Sequence, residues 1–270
     1  MSILDRIVDS KKAEVAAAMR DVPLAALKSR IAAPWTPRGF ASRMARPGGV
    51  NIIAEIKRAS PSKGDIAPDL NAADCARAYE AGGAAALSVL TDGPFFKGSL
   101  DDLAAARAAT RLPVLRKEFI VDPYQVYEAR AAGADAVLLI VRILPPQLLE
   151  ALLALAQRLG MDALVEIHAA EELNVARTAG ARLIGINNRN LATFDTCLDT
   201  ASELARRFLP GEVPVAASGI GDRRDIELNL RAGIRNFLIG ESLVRAADRV
   251  GFLKTLIHGP HTAGAVAENE

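Results

Sequence analysis

Short apolar runs rich in Val, Ile and Leu alternate along this chain with longer, alanine-rich stretches whose apolar positions recur at helical spacing. The runs at 51–57, 85–90, 113–117, 136–141, 162–167, 183–187, 213–218 and 236–239 predict eight strands. Helices are predicted near 71–81, 100–109, 123–132, 145–159, 170–179, 200–208, 223–232 and 242–250. Strand and helix taking turns imply parallel βαβ units. A weak repeat supports the count. Ala-Gly pairs recur at 81–82, 132–133, 179–180 and 232–233, each closing a helical segment just before an apolar strand. Glycine past a helix end is the expected left-handed cap. The glycines lie 51, 47 and 53 residues apart, so each interval holds two strand–helix units. Eight units without a central break favour a closed barrel over an open doubly wound sheet, and roughly 250 residues is a typical size for such a barrel.

The fold class expected is therefore α/β: a single (β/α)8 TIM barrel over residues 47–258, with an N-terminal helical extension over 1–46. That extension holds an amphipathic helix at 3–20, a short helix near 23–31 and the turn-rich stretch APWTPRGF at 33–40. Residues 259–270 read as a frayed, flexible tail. No linker divides the chain.

Composition narrows the function. The chain has 270 residues, and its net charge of +1 gives no electrostatic reason to expect nucleic acid or a membrane surface as partner. No apolar run approaches the roughly eighteen residues of a spanning helix. Asp5 and Asp9 interrupt the apolar positions of the N-terminus, which suits a helix better than a signal peptide. Cys75 and Cys197 are the only cysteines and read as reduced thiols of a cytoplasmic protein. With three histidines, two of them near the C-terminus, no metal site is expected.

In such barrels the chemistry sits at the C-terminal ends of the strands. The first strand leads into Glu55 and Lys57, two apart and so on one side of a strand, followed by a Ser-Pro-Ser-Lys-Gly turn. The third ends at Lys117, followed by Glu118 and Phe119. Glu166 ends the fifth, and Asn187, Asn188 and Arg189 follow the sixth. Ser218-Gly219 and Gly240-Glu241-Ser242 follow the seventh and eighth strands, where these barrels commonly hold a phosphate. Two ordinary turns are the alternative reading, but the fold favours phosphate; the Glu241 side chain would repel an anion, so only its backbone N–H could help. Clustered lysines and glutamates shift one another's proton affinities, as general acid–base catalysis requires. Phe95, Phe96, Phe119 and Leu138 fit either plain core or the wall of a flat aromatic ligand. His168, two residues past Glu166, reads as a rim or helix-capping residue.

In order, the segments AEIKRASPSKG (54–64), LSVLTDGPFFKGS (87–99), LRKEFIVDPYQVYEAR (115–130), LVEIH (164–168), GINNRNL (185–191), ASGI (217–220) and FLIGESLV (237–244) resemble the indole-3-glycerol phosphate synthase family of tryptophan biosynthesis. The resemblance implies a cofactor-free carboxy-lyase. Its substrate would be the phosphorylated aromatic compound 1-(2-carboxyphenylamino)-1-deoxyribulose 5-phosphate, closed to indole-3-glycerol phosphate with loss of carbon dioxide and water. It implies Lys117 as general acid on the ketone and Glu166 as stabiliser of the cationic intermediate or proton shuttle. Glu55 and Lys57 would serve the later dehydration. Asn187 and Ser218 would hold hydroxyls and carboxylate, with Asn187 orienting Glu55. Ser60, Gly219, Gly240 and the backbone at Glu241 would bind phosphate, with Arg189 adding positive charge. Phe96, Phe119, Leu138 and Leu191 would contact the ring. A monomer or weak homo-oligomer is expected. Ala217 departs from the pattern, since many relatives carry Glu there. A Schiff-base aldolase, phosphoribosylanthranilate isomerase and a catalytically silent phosphate-binding barrel are the rival readings.

Overall fold

A computed structural model describes residues 2–31, 35–189, 196–197 and 199–259. Three helices, α1 (Ile3–Asp21), α2 (Leu24–Ile31) and α3 (Phe40–Met44), precede the first strand, β1 (Asn51–Ile56). A small hairpin of β2 (Ala59–Ser60) and β3 (Gly64–Asp65) follows. The chain then alternates α4 (Ala72–Ala81), β4 (Ala86–Leu90), α5 (Leu100–Ala109), β5 (Val114–Lys117), α6 (Pro123–Ala131), β6 (Ala136–Ile140) and α7 (Pro146–Arg158). It continues through β7 (Asp162–Ile167), α8 (Ala170–Thr178), β8 (Leu183–Asn187), α9 (Asp199–Ala205), β9 (Val213–Ala217), α10 (Arg223–Arg231) and β10 (Asn236–Ile239), and ends with α11 (Glu241–Arg245) and α12 (Arg249–His258). Eight strands pair in parallel and close in the order β1-β10-β9-β8-β7-β6-β5-β4, which is the (β/α)8 barrel.

Parallel strands covered on both faces read as continuous apolar runs, and AVLLI of β6 is buried throughout. Alternation then sorts the side chains. Ile52, Ala54 and Ile56 join the cluster under the helices. Ile53, Leu115, Leu138, Leu164, Leu183, Val215 and Leu238 fill the barrel interior. Two positions beyond several of these inward residues stand Glu55, Lys117, Glu166, Ala217 and Gly240. The period-two alternation that fills the barrel therefore aims these positions into its mouth.

The extension closes the opposite end. Phe40 and Met44 are buried within the interior cluster. Asp162 accepts the backbone N–H of Ala41 at 2.8 Å, and Arg38 donates to the carbonyls of Thr110 and Leu112 at 2.8 and 2.9 Å. Trp35 stacks beneath the Arg130 guanidinium, 3.8 Å from the ring centre. Helix α1 is fixed laterally where the Tyr124 hydroxyl donates to the carbonyls of Ala18 and Val22.

Several details differ from the pattern-based expectation. The first Ala-Gly pair does not supply the left-handed cap. Gly82 has φ −77° and the next residue, Gly83, takes φ +89°, because the turn runs one residue longer there. Gly133, Gly180 and Gly233 do adopt positive φ. The helix expected at 242–250 is two helices, α11 and α12, with Asp248 capping the second through the N–H of Gly251. The seventh strand stops at Ala217, since Ser218 turns to φ +68°. Helix α3 falls at the end of what the sequence presents as a turn-rich stretch. The tail over 259–270 lies outside the described residues beyond Gly259. No helix among the described residues is long and apolar enough to cross a membrane.

Candidate active site

A cavity of about 410 Å3 opens at the C-terminal ends of the strands. Fourteen of the fifteen candidate residues line it: Glu55, Lys57, Ser60, Phe96, Lys117, Phe119, Leu138, Glu166, Asn187, Arg189, Ser218, Gly219, Gly240 and Glu241. The fifteenth, Leu191, lies outside the described residues. Phe95 packs against the interior cluster and does not reach the cavity.

Glu55 is the hub. Its carboxylate is buried and takes one lysine on each oxygen: Lys57 Nζ lies 2.9 Å from Oε1 and Lys117 Nζ 3.1 Å from Oε2. Burial alone would raise the Glu55 pKa. Lys117 and then Lys57 outweigh it and bring the carboxyl down to about 2. Lys117 moves the other way. Burial opposes its charge, but Glu55 and Glu166 hold it protonated and raise its pKa. The Glu55 anion and the Lys117 ammonium are thus kept charged in a largely buried setting, where electrostatic effects are strong.

Gly240 makes room for the hub. A methyl on its Cα would stand 2.4 Å from Glu55 Oε1 and 3.1 Å from Glu55 Cδ. The Asn187 amide donates to Glu166 Oε1 at 3.1 Å, and Asn187 Oδ1 accepts the backbone N–H of Arg189 at 3.0 Å. The expectation that Asn187 orients Glu55 is thereby corrected. The sixth strand sits beside the fifth, not the first, so its amide meets Glu166.

Arg189 Nη1 donates to the Ser62 hydroxyl at 2.9 Å, which ties the loop after β8 to the β2–β3 hairpin. Arg58 anchors that hairpin's base through a bidentate pair with Asp102 at 2.5 and 2.8 Å. Ser218 and Gly219 both have positive φ, and the non-glycine Ser218 holds that strained backbone at the cavity wall. The Glu241 carboxylate is taken up by Arg245 at 3.2 Å, which offsets its repulsion toward an anion. Phe96 and Phe119 face each other with ring centres 5.9 Å apart and planes tilted by 36°, and Leu90, Leu138 and Ile140 extend the apolar side.

His168 is not a rim residue. Its side chain is buried, with Nε2 3.7 Å from Glu166 Oε1 and Nδ1 3.5 Å from Glu172 Oε2. Glu172 accepts the His168 backbone N–H at 2.6 Å, so the glutamate, not the imidazole, caps this turn. Among the described residues, no group of three His, Cys, Asp or Glu side chains is arranged to hold a metal ion. The cavity also includes Ser62, Arg245 and Ile140, which sequence reasoning did not single out. Ser62 was signalled by the hydroxyl-rich turn. Arg245 carried no signal, since it reads as one more exposed helix residue.

Residues 4–256 match the family model described as indole-3-glycerol phosphate synthase. The chain belongs to this family. It is 59% identical over 258 residues to the indole-3-glycerol phosphate synthase of Desulfosudis oleivorans, covering 94% of this chain and 98% of the relative. It is 53% identical over 247 residues to that of Syntrophobacter fumaroxidans, covering 91% and 93%. Membership in the indole-3-glycerol phosphate synthase family makes it a carboxy-lyase acting on a small phosphorylated substrate. Among solved structures it is similar to a thiamine phosphate pyrophosphorylase from Pyrococcus furiosus, with a TM-score of 0.57, 18% identity and coverage of 77% of this chain and 93% of that one. An N-acetylmannosamine-6-phosphate 2-epimerase from Clostridium perfringens gives a TM-score of 0.56 at 16% identity, covering 71% and 86%. At these identities the likeness speaks for the barrel alone.

Proposed function

We propose that the barrel mouth closes the ring of 1-(2-carboxyphenylamino)-1-deoxyribulose 5-phosphate to give indole-3-glycerol phosphate, carbon dioxide and water by lysine–glutamate acid–base catalysis without a cofactor. The observation that carries this reading is the Lys117–Glu55–Lys57 triad. One buried carboxylate holds two amines at the strand ends, within a cavity that is charged on one side and aromatic on the other.

Lys117, held protonated, donates toward the substrate ketone and draws electrons from its carbon, so that the ring carbon bearing the carboxylate attacks it. Glu166, held by Asn187, faces the positive charge that then develops on the ring nitrogen. Carbon dioxide leaves with the electron pair returned to the ring. The former ketone oxygen departs as water, with Lys57 supplying a proton and Glu55 accepting one. Arg189 and Lys57 supply positive charge for the substrate's carboxylate and phosphate. Ser60, Gly219, Gly240 and the backbone of Glu241 cradle the phosphate, while Phe96, Phe119 and Leu138 enclose the ring. Asn187 and Ser218 hold the sugar hydroxyls and carboxylate.

A Schiff-base mechanism would need a neutral lysine, and the raised pKa of Lys117 opposes that. Indole fluorescence from the carboxyphenylamino sugar phosphate tests the reading. The wild type produces the signal, and Lys117→Ala lowers kcat by about two to four orders of magnitude, the range for loss of a general acid. A fully active Lys117→Ala removes Lys117 from its role. An adduct trapped on Lys117 by borohydride during turnover would replace the mechanism with a covalent one.

A further inference from the structure

Lys11 lies on α1, in the extension, yet its side chain is 4% exposed and its ammonium meets three carboxylates. Glu14 on the same helix is 2.7 Å away, Asp92 2.9 Å and Glu118 3.1 Å. Asp92 follows β4, and Glu118 follows β5. Both are buried. Burial works against the Lys11 charge, but Glu118 and Asp92 overcome it and push its pKa up to about 12. A buried charge cluster is expensive to assemble and gives little net stability compared with apolar packing. Its placement is therefore better explained by what it holds.

Both carboxylates carry a second load. Asp92 Oδ1 accepts the backbone N–H of Phe95 at 2.8 Å and of Phe96 at 3.2 Å. Glu118 Oε1 accepts the backbone N–H of Phe119 at 2.8 Å, and its Oε2 accepts the Thr91 hydroxyl at 2.8 Å. Phe96 and Phe119 are the two rings that face each other on the apolar side of the cavity. One ammonium from the extension thus ties together the two turns that present the aromatic wall.

We propose that Lys11 is a positioning residue for substrate: by bridging Asp92 and Glu118 it sets the spacing of Phe96 and Phe119, and so the grip on the substrate's benzoate ring. This rests on the reading that the ring sits against that pair.

The test uses the full chain and two competitive probes, 2-aminobenzoate for the ring side and inorganic phosphate for the other end of the substrate. In Lys11→Met, inhibition by 2-aminobenzoate weakens about fivefold to tenfold, the order of a lost aromatic contact. Inhibition by phosphate stays within about twofold, and KM rises by more than kcat falls. Lys11→Arg, which keeps the charge, recovers part of the loss. Equal weakening of both probes, or of neither, assigns Lys11 to stability alone and overturns the proposal. Phe96→Ala separates the two levels. If it leaves 2-aminobenzoate inhibition unchanged, the ring's placement is wrong before Lys11 is considered. Should Lys11→Met fail to fold, Asp92→Asn serves instead. It keeps an acceptor for the Phe95 and Phe96 amides while losing the charge toward Lys11. The same selective loss supports the proposal, and an unselective one overturns it.

Discussion

Replacing Gly240 with alanine adds one methyl group and nothing else, yet it should disable the site. The new carbon would lie 2.4 Å from Glu55 Oε1, and Cβ contacts below 3.0 Å essentially do not occur, so at least 0.6 Å (3.0 − 2.4) must be found. An unrestrained carboxylate would simply swing away. This one cannot, because Glu55 Cδ and Cβ would also be close, at 3.1 and 3.2 Å, and because Lys57 and Lys117 hold the two oxygens. The whole side chain must shift, and both amines must follow it or lose their partner. Overpacking of this kind costs about 1–3 kcal/mol of stability. Misplacement of catalytic groups approaching 1 Å costs up to about a hundredfold in rate. Gly240 has a negative φ of −126°, so a positive-φ penalty does not explain the effect. Indole fluorescence under steady-state conditions, alongside a thermal melt, reads both quantities. A kcat/KM within about twofold of wild type, a negligible loss on the scale of transition-state stabilisation, would show that Glu55 is not held where its position matters.

Two further outcomes follow from the same site. Glu55 has a folded pKa of about 2 against 4.5 when free, so its contribution is present above pH 4.5 and is lost as pH falls toward 2. Glu172 is lowered in the same way, by His168 and Arg142 against the cost of burial, and adds to the same window. Urea midpoints across that range should fall less steeply for Glu55→Gln than for wild type, and identical slopes would refute the assignment. Ser218→Gly should relieve the φ of +68° and stabilise the fold by about 1 kcal/mol. Activity should fall with loss of the hydroxyl, and a lower melting temperature would count against strain at this position.

The barrel was legible because parallel strands buried on both faces leave contiguous apolar runs, as in AVLLI, and because an Ala-Gly pair near a helix end marks every second return. Glu55, Lys117 and Glu166 were legible because alternation along a strand fixes which side a residue faces. What escaped was set by contacts between positions far apart in sequence. Nothing local to Asn187 says that its neighbour is Glu166; strand order decides it. Lys11 reads as one more surface lysine of an amphipathic helix until Asp92 and Glu118 are seen beside it. The β2–β3 hairpin has two residues per strand, too few to show a period. Helix α3 is a single short turn whose Phe40 and Met44 point into a barrel that the local pattern does not reveal.

The burial of Phe40 and Met44 in the same cluster as Val215 and Leu238 bears on how the chain reaches its native state during synthesis. The ribosome releases the extension first, but the strands that complete its pocket emerge near the end. Until then these side chains have no full set of partners, and the early helices are exposed to mispairing or to chaperone capture. Closure of the barrel and docking of the extension are therefore expected as one late, concerted event, not as successive domains settling from the N-terminus onward.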